Sequence, residues 1–158
     1  MPSKPTRKSA REKLPSKQQR EIVDVPPEAI TKLGGATMLI ACPLDIEELV
    51  LTIPKGKLVT MAVLRARLAR DFGAETACPL TTGIFLRLVA EAAEEDRAAG
   101  KTKIAPYWRV IKNDGALNEK FPGGEKSHAG LLKAEGFHIE AAGKRKPRVA
   151  DFEKHVVN

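Results

Sequence analysis

The chain has 158 residues, a size suited to one domain, and its 42% hydrophobic residues can build a core over most of that length. It carries 27 basic residues against 20 acidic ones, a net charge of +7 and a pI near 9.5, which points to nucleic acid or another polyanion as partner. No segment approaches the ~20 apolar residues of a membrane span, and the basic start lacks the apolar stretch of a secretory signal. Cys42 and Cys78 are too far apart for a metal knuckle and fit a reducing, cytoplasmic setting, so neither metal nor cofactor is expected.

Residues 1–20 hold seven basic side chains and one acid among prolines and serines, and read as a disordered basic arm. Such an arm either touches phosphates or serves as a solubilising tail. Residues 21–44 read as an extension packed on the domain. A helix starts at Pro26-Pro27, Gly34-Gly35 breaks it, and the apolar run Ala36–Cys42 forms a short buried strand or strap.

The domain proper, residues 45–138, opens with Asp45 as N-cap and Glu48 three residues on, a capping box for a helix through Leu51 that Pro54 and Gly56 end. Thr60 caps the next helix, whose Met61, Leu64, Leu68 and Phe72 share one face, and Gly73 stops it. After a turn with Cys78 and Pro79, Thr81 or Thr82 caps a longer helix ended by Gly100. Ile84, Phe85, Leu88, Val89 and Ala92 form its inner face, and Glu91, Glu94, Glu95 and Asp96 its outer one.

Ala105–Ile111 contains the only tryptophan and the only tyrosine of the chain. Val110–Lys112 reads as a strand and Asn113-Asp114-Gly115 as a turn, a hairpin with aromatics at its root. Tyr107 and Trp108 either fill the core or offer a stacking platform beside Arg109. Two helices and a turn followed by a hairpin outline a winged helix-turn-helix, so the expected fold is mainly α with a small β-hairpin. The N-terminal turn of the second helix, with Thr81 and Thr82, would face DNA. Residues 139–158 read as a C-terminal tail with a basic patch at Gly143–Arg148. His128, His138 and His155 match no metal spacing.

Taken together, these motifs resemble the DNA-binding domain of the O6-alkylguanine-DNA alkyltransferases. Ile53-Pro54-Lys55-Gly56 resembles the family's Ile-Pro-x-Gly turn, Gly83 the glycine of its recognition helix, and Pro106-Tyr107-Trp108-Arg109-Val110 its Pro-Cys-His-Arg-Val. Gly115, Gly123-Gly124, Lys126, Leu131-Leu132 and Glu135-Gly136 follow the closing pattern, so the resemblance runs from about Asp45 to Gly136. Tyr107 stands at the nucleophile position and Trp108 at the histidine that activates it, and Glu135 alone remains of the relay. A phenol without a base beside it is a poor alkyl acceptor. Met61 stands where the family's nucleotide-rotating tyrosine is, and Leu80 where an arginine fills the hole left by the flipped base; an apolar residue there can still wedge between base steps.

The resemblance implies a non-enzymatic protein similar to the alkyltransferase-like branch, which has tryptophan in place of the cysteine and binds alkylated DNA without repairing it. It would bind double-stranded DNA through Thr60, Met61, Leu80, Thr81, Thr82, Gly83 and Arg109. O6-alkylguanine lesions would enter a pocket of Pro106, Tyr107 and Trp108, and other DNA-repair proteins would follow, in a nucleoid-associated cytoplasmic location. Two rival readings are residual alkyl transfer through Cys78 and an interaction module using the old base pocket for a protein or small ligand.

Overall fold

A computed structural model describes residues 7–16, 19–141 and 146–157. Its first element corrects the expected disordered arm, because Ala10–Ser16 form a helix, α1, with Ala10 and Leu14 buried in the main core. A helix start leaves amides without partners. Here the Glu95 carboxylate supplies them, accepting from Ala10 N and Arg11 N at 2.9 Å each. Arg11 reaches Glu47 at 3.0 Å and Asp96 at 2.6 Å. Asp96, expected on an outer face, is thus buried under α1. The rest of the expected arm, residues 1–6 and 17–18, lies outside the described residues.

The extension folds as a strand β1 (Glu21–Asp24), a 3-10 turn at Pro27–Ala29 running into α2 (Ile30–Leu33), and a strand β2 (Thr37–Ile40). Gly34, at φ 92°, turns the chain between them. The third helix, α3 (Pro43–Leu51), starts three residues earlier than its sequence signals suggest. Cys42 is the N-cap and Asp45 the N3 residue, its carboxylate accepting from Cys42 N at 3.2 Å. Proline at the first helical position is pre-set in φ and needs no amide partner, which lets the helix begin there.

After β3 (Val59–Thr60) comes α4 (Met61–Phe72), bounded by Thr60, whose hydroxyl accepts from Val63 N at 3.3 Å, and by Gly73 at φ 78°. The strand β4 (Thr76–Ala77) then pairs parallel with β2, which pairs antiparallel with β1. The spine of the molecule is α5 (Pro79–Ala98), about 30 Å of helix. Its N-cap is Cys78 rather than Thr81 or Thr82, and the Thr82 hydroxyl instead donates to Cys78 O at 2.6 Å. Phe85, Leu86, Leu88, Val89 and Ala92 are buried, whereas Ile84, expected inside, is 54% exposed.

A 3-10 turn at Tyr107–Arg109 leads into β5 (Val110–Ile111). The expected Asn113-Asp114-Gly115 turn forms, Gly115 N donating to Lys112 O at 2.9 Å and Lys112 N to Ala116 O at 3.0 Å, but no regular second strand follows it, and β5 pairs instead parallel with β3, Thr60 opposite Ile111. Asn113 Oδ1 also accepts from Ala62 N at 2.8 Å and so helps to cap α4. After α6 (Gly124–Ala134) the expected tail proves structural. The strands β6 (Ile139–Glu140) and β7 (Arg148–Val149) pair antiparallel, and Val149 and Phe152 join Leu58, Ile111, Leu117, Leu132 and Phe137 in a second core. Gly115, at φ 85°, lies against that core so closely that a Cβ would be 2.4 Å from Phe152 Cδ1. The molecule is therefore mainly α with small sheets.

Candidate nucleic-acid interface

The β3–β5 register decides which residues meet at the surface. Because Thr60 lies opposite Ile111, the next residues along, Met61 and Lys112, flank the same opening. The first turns of α5 close it on the other side. The result is a groove of about 400 Å³ lined by Met61, Pro79, Leu80, Gly83, Ile84, Arg87, Lys112, Asn118, Glu119 and Lys120. Leu80 stands at its rim, 69% exposed. Three cations border it against a single acid, Glu119, which Lys112 binds at 2.7 Å. Lys112 holds the Glu119 carboxyl down at about 2, so that pair stays ionised at neutral pH.

Of the residues expected to meet DNA, Met61, Leu80 and Gly83 come together in this groove, and the others do not line it. Thr60 and Thr82 are buried with their hydroxyls engaged as described. Thr81 is half-buried beside Cys78. Arg109 points inward, donating from Nε to Glu135 at 2.9 and 3.1 Å and from Nη1 to Ile53 O. Sequence reading missed Ile84, Arg87, Lys112 and Lys120. The four-residue spacing of Leu80 and Ile84 on a helix already bounded by a basic residue, Arg87, was the available signal.

The aromatic pair does not form the expected pocket. Pro106 is buried and Tyr107 is 1% exposed, its ring edge-on to Trp108 and to Phe121 at centroid distances of 5.3 and 5.0 Å. The Tyr107 hydroxyl donates to Glu94 Oε1 at 2.6 Å, and burial together with that carboxylate pushes the phenol well above its ordinary value. The phenol therefore stays protonated at neutral pH.

Trp108 is half-buried, with the Arg97 guanidinium over its ring at 5.2 Å. Its indole N–H donates to Glu135, which also accepts from Gly56 N at 3.3 Å. The indole thus fills the donor role toward this glutamate. The Trp108 carbonyl accepts from His128 Nε2 at 2.8 Å, while His128 Nδ1 accepts from Asn118 N at 3.1 Å. This pairing assigns the proton to Nε2 and marks His128 as a structural bridge that sequence spacing alone did not single out.

Cys78 lies behind the groove at the N-cap of α5. Burial acts to raise its thiol pKa, but the nearby Thr81 hydroxyl, the Thr81 and Leu80 amides and the Arg65 charge bring it below the usual value. Among the described residues, no cluster of three or more His, Cys, Asp or Glu side chains could hold a metal, and no helix is long and apolar enough to cross a membrane.

This arrangement has counterparts among solved structures. The crystal structure of S. pombe Atl1 in complex with damaged DNA containing O6-carboxymethylguanine is 18% identical, with a TM-score of 0.50 over 73% of this chain and 94% of that one. A second, of S. pombe ATL in complex with DNA, is 20% identical, with a TM-score of 0.52 and the same coverage of both chains. The chain has the alkyltransferase-like fold. No protein-family model matches the sequence, and comparison with curated proteins finds no match. Tyr107, which the motif resemblance set at the nucleophile position of the alkyltransferases, is a buried phenol. Replacing Tyr107 by Phe is expected to cost about 1 kcal/mol by removing the Glu94 hydrogen bond. Because the ring lies away from the groove, DNA affinity should be unchanged; denaturation and duplex titration check the two halves.

Proposed function

We propose that the protein binds damaged double-stranded DNA and recognises O6-alkylguanine without accepting the alkyl group. The observation that carries this reading is Leu80, an apolar side chain 69% exposed on the first turn of α5, facing a groove bordered by Arg87, Lys112 and Lys120. An exposed apolar residue among cations suits a wedge that enters a base step while phosphates are neutralised around it. In this reading α4 and α5 act as the helix-turn-helix, and the turn at Lys112–Gly115 serves as the wing. The lesion occupies the groove rather than the Tyr107 site, and the bound complex marks the lesion for other repair proteins at the nucleoid. The cationic border argues against a vestigial DNA face serving a protein or small ligand.

The test is titration of labelled duplexes with and without O6-methylguanine at two salt concentrations. Tighter binding of the modified duplex, and a Leu80→Ala variant that binds both duplexes alike, is the expected result. Equal affinity for both duplexes with a steep salt dependence would leave a general DNA binder. Cys78 gives a second reading some footing, since its thiol pKa lies below the usual value, but it does not line the groove. Intact mass after incubation with benzylguanine is expected to show no adduct, and a gain lost in Cys78→Ser would reverse that.

A further inference from the structure

The described part of the basic N-terminus lies beside the exposed end of α5, and the furrow between them has a charge pattern of its own. Leu80, Ile84, Arg87 and Glu91 fall on one stripe of α5, with spacings of three and four residues. Ile84 and Arg87 line the groove on one side of this crest. They also line a furrow of about 250 Å³ on the other, whose remaining lining is Lys13, Phe85, Leu88 and Glu91. Lys13 comes from α1, and α1 is fixed in place: Glu95 binds its first amides, Arg11 joins Glu47 and Asp96, and Leu14 is buried. The crest therefore has lysines on both flanks, Lys112 and Lys120 on one and Lys13 on the other.

A helix lodged in a groove of duplex DNA has a sugar-phosphate strand on each side. Resting on the DNA-binding reading above, we propose that α1 is the second jaw of a phosphate clamp. Lys13 binds the backbone of one strand while Lys112 and Lys120 bind that of the other, with the Leu80–Ile84 crest between them. Glu91, which faces the same furrow and pairs with Arg87 at 3.3 Å, opposes the phosphate and sets the strength of this jaw.

Two substitutions of opposite sign test the clamp in the full chain, by anisotropy titration of a 20-base-pair duplex across a salt series. Lys13→Ala should weaken binding about fivefold near 0.1 M salt and make the log–log salt slope shallower by about 0.9, the value for one released counterion. Glu91→Gln should strengthen binding by about threefold, since it removes a like charge near the phosphate. Lys101→Ala, at the far end of α5, should leave the slope unchanged. If the unsubstituted protein binds and both furrow variants titrate as it does, the clamp is overturned and the DNA reading stands. If the unsubstituted protein binds no duplex, both fall.

Discussion

Lowering the pH from 7 to 4 is expected to remove about 3 kcal/mol of folding stability through one side chain, His128. This imidazole is 1% exposed, and its burial, opposed in part by the bond to the Trp108 carbonyl, pulls its pKa from 6.5 down to about 4. Unfolded, it takes a proton as the pH passes its ordinary value; folded, it resists until about 4. Between those limits the unfolded chain binds more protons, so stability is lost as the pH drops through that range and is flat above it. Asp96 is also held low, by Arg11 and Lys101 against the opposing effect of burial, as is Glu119 by Lys112. Their contributions fade only below their ordinary carboxylate values and overlap the lower edge of the window. Denaturant midpoints of the unsubstituted protein and of His128→Gln, which cannot charge, separate these sources. The variant should begin less stable at pH 7 and stay nearly level down to pH 5; a slope as steep as the parent's would assign the loss to the carboxylates. Function follows the same bond network. His128 ties the Trp108 turn to Asn118 on the groove wall, so acid that breaks the bridge should loosen the groove and weaken DNA binding in the same pH range.

The parts of this fold that were legible in the sequence are those set by local chemistry. Thr60 and Gly73 bound α4 because a hydroxyl cap and a left-handed glycine act within a turn of their own position. Gly34 and the apolar run after it marked β2 for the same reason. What was missed depends on partners far along the chain. Among the described residues of α1, Ala10 and Leu14 are the buried anchors, and the helix's cap comes from Glu95, 85 residues away. Asn113-Asp114-Gly115 makes the turn its composition suggests, yet β5 takes the distant β3 as its parallel partner and Asn113 also caps α4. At the candidate site, the order of motifs pointed to the scaffold, and Met61, Leu80 and Gly83 line one groove. The expected pocket of Pro106, Tyr107 and Trp108 does not open, because sequence position cannot tell whether a ring faces a cavity or fills one. Tyr107 fills one, held by Glu94 from a helix whose acids looked solvent-facing.

Glu135→Ala is expected to be the most damaging single substitution at the site, costing about 3–5 kcal/mol. The Glu135 carboxylate, with 8% of its side chain exposed, accepts from the Trp108 indole, from Arg109 Nε and from Gly56 N, so one residue joins the Ile-Pro-x-Gly turn, the aromatic turn and the end of α6. Removing it leaves a guanidinium only 14% exposed with no counter-charge, and an indole and an amide without an acceptor. Glu135→Gln keeps one acceptor oxygen while losing the charge, and its penalty should lie between those of alanine and the parent. Trp108→His offers the sharper comparison. An imidazole can donate to Glu135 as the indole does, so the polar bond should survive while the Tyr107 and Arg97 contacts shrink, for a loss of about 1–2 kcal/mol. Urea denaturation of the three variants reads this order directly. Should Glu135→Ala prove milder than Trp108→His, packing of the indole rather than the buried carboxylate would be what holds the three segments together.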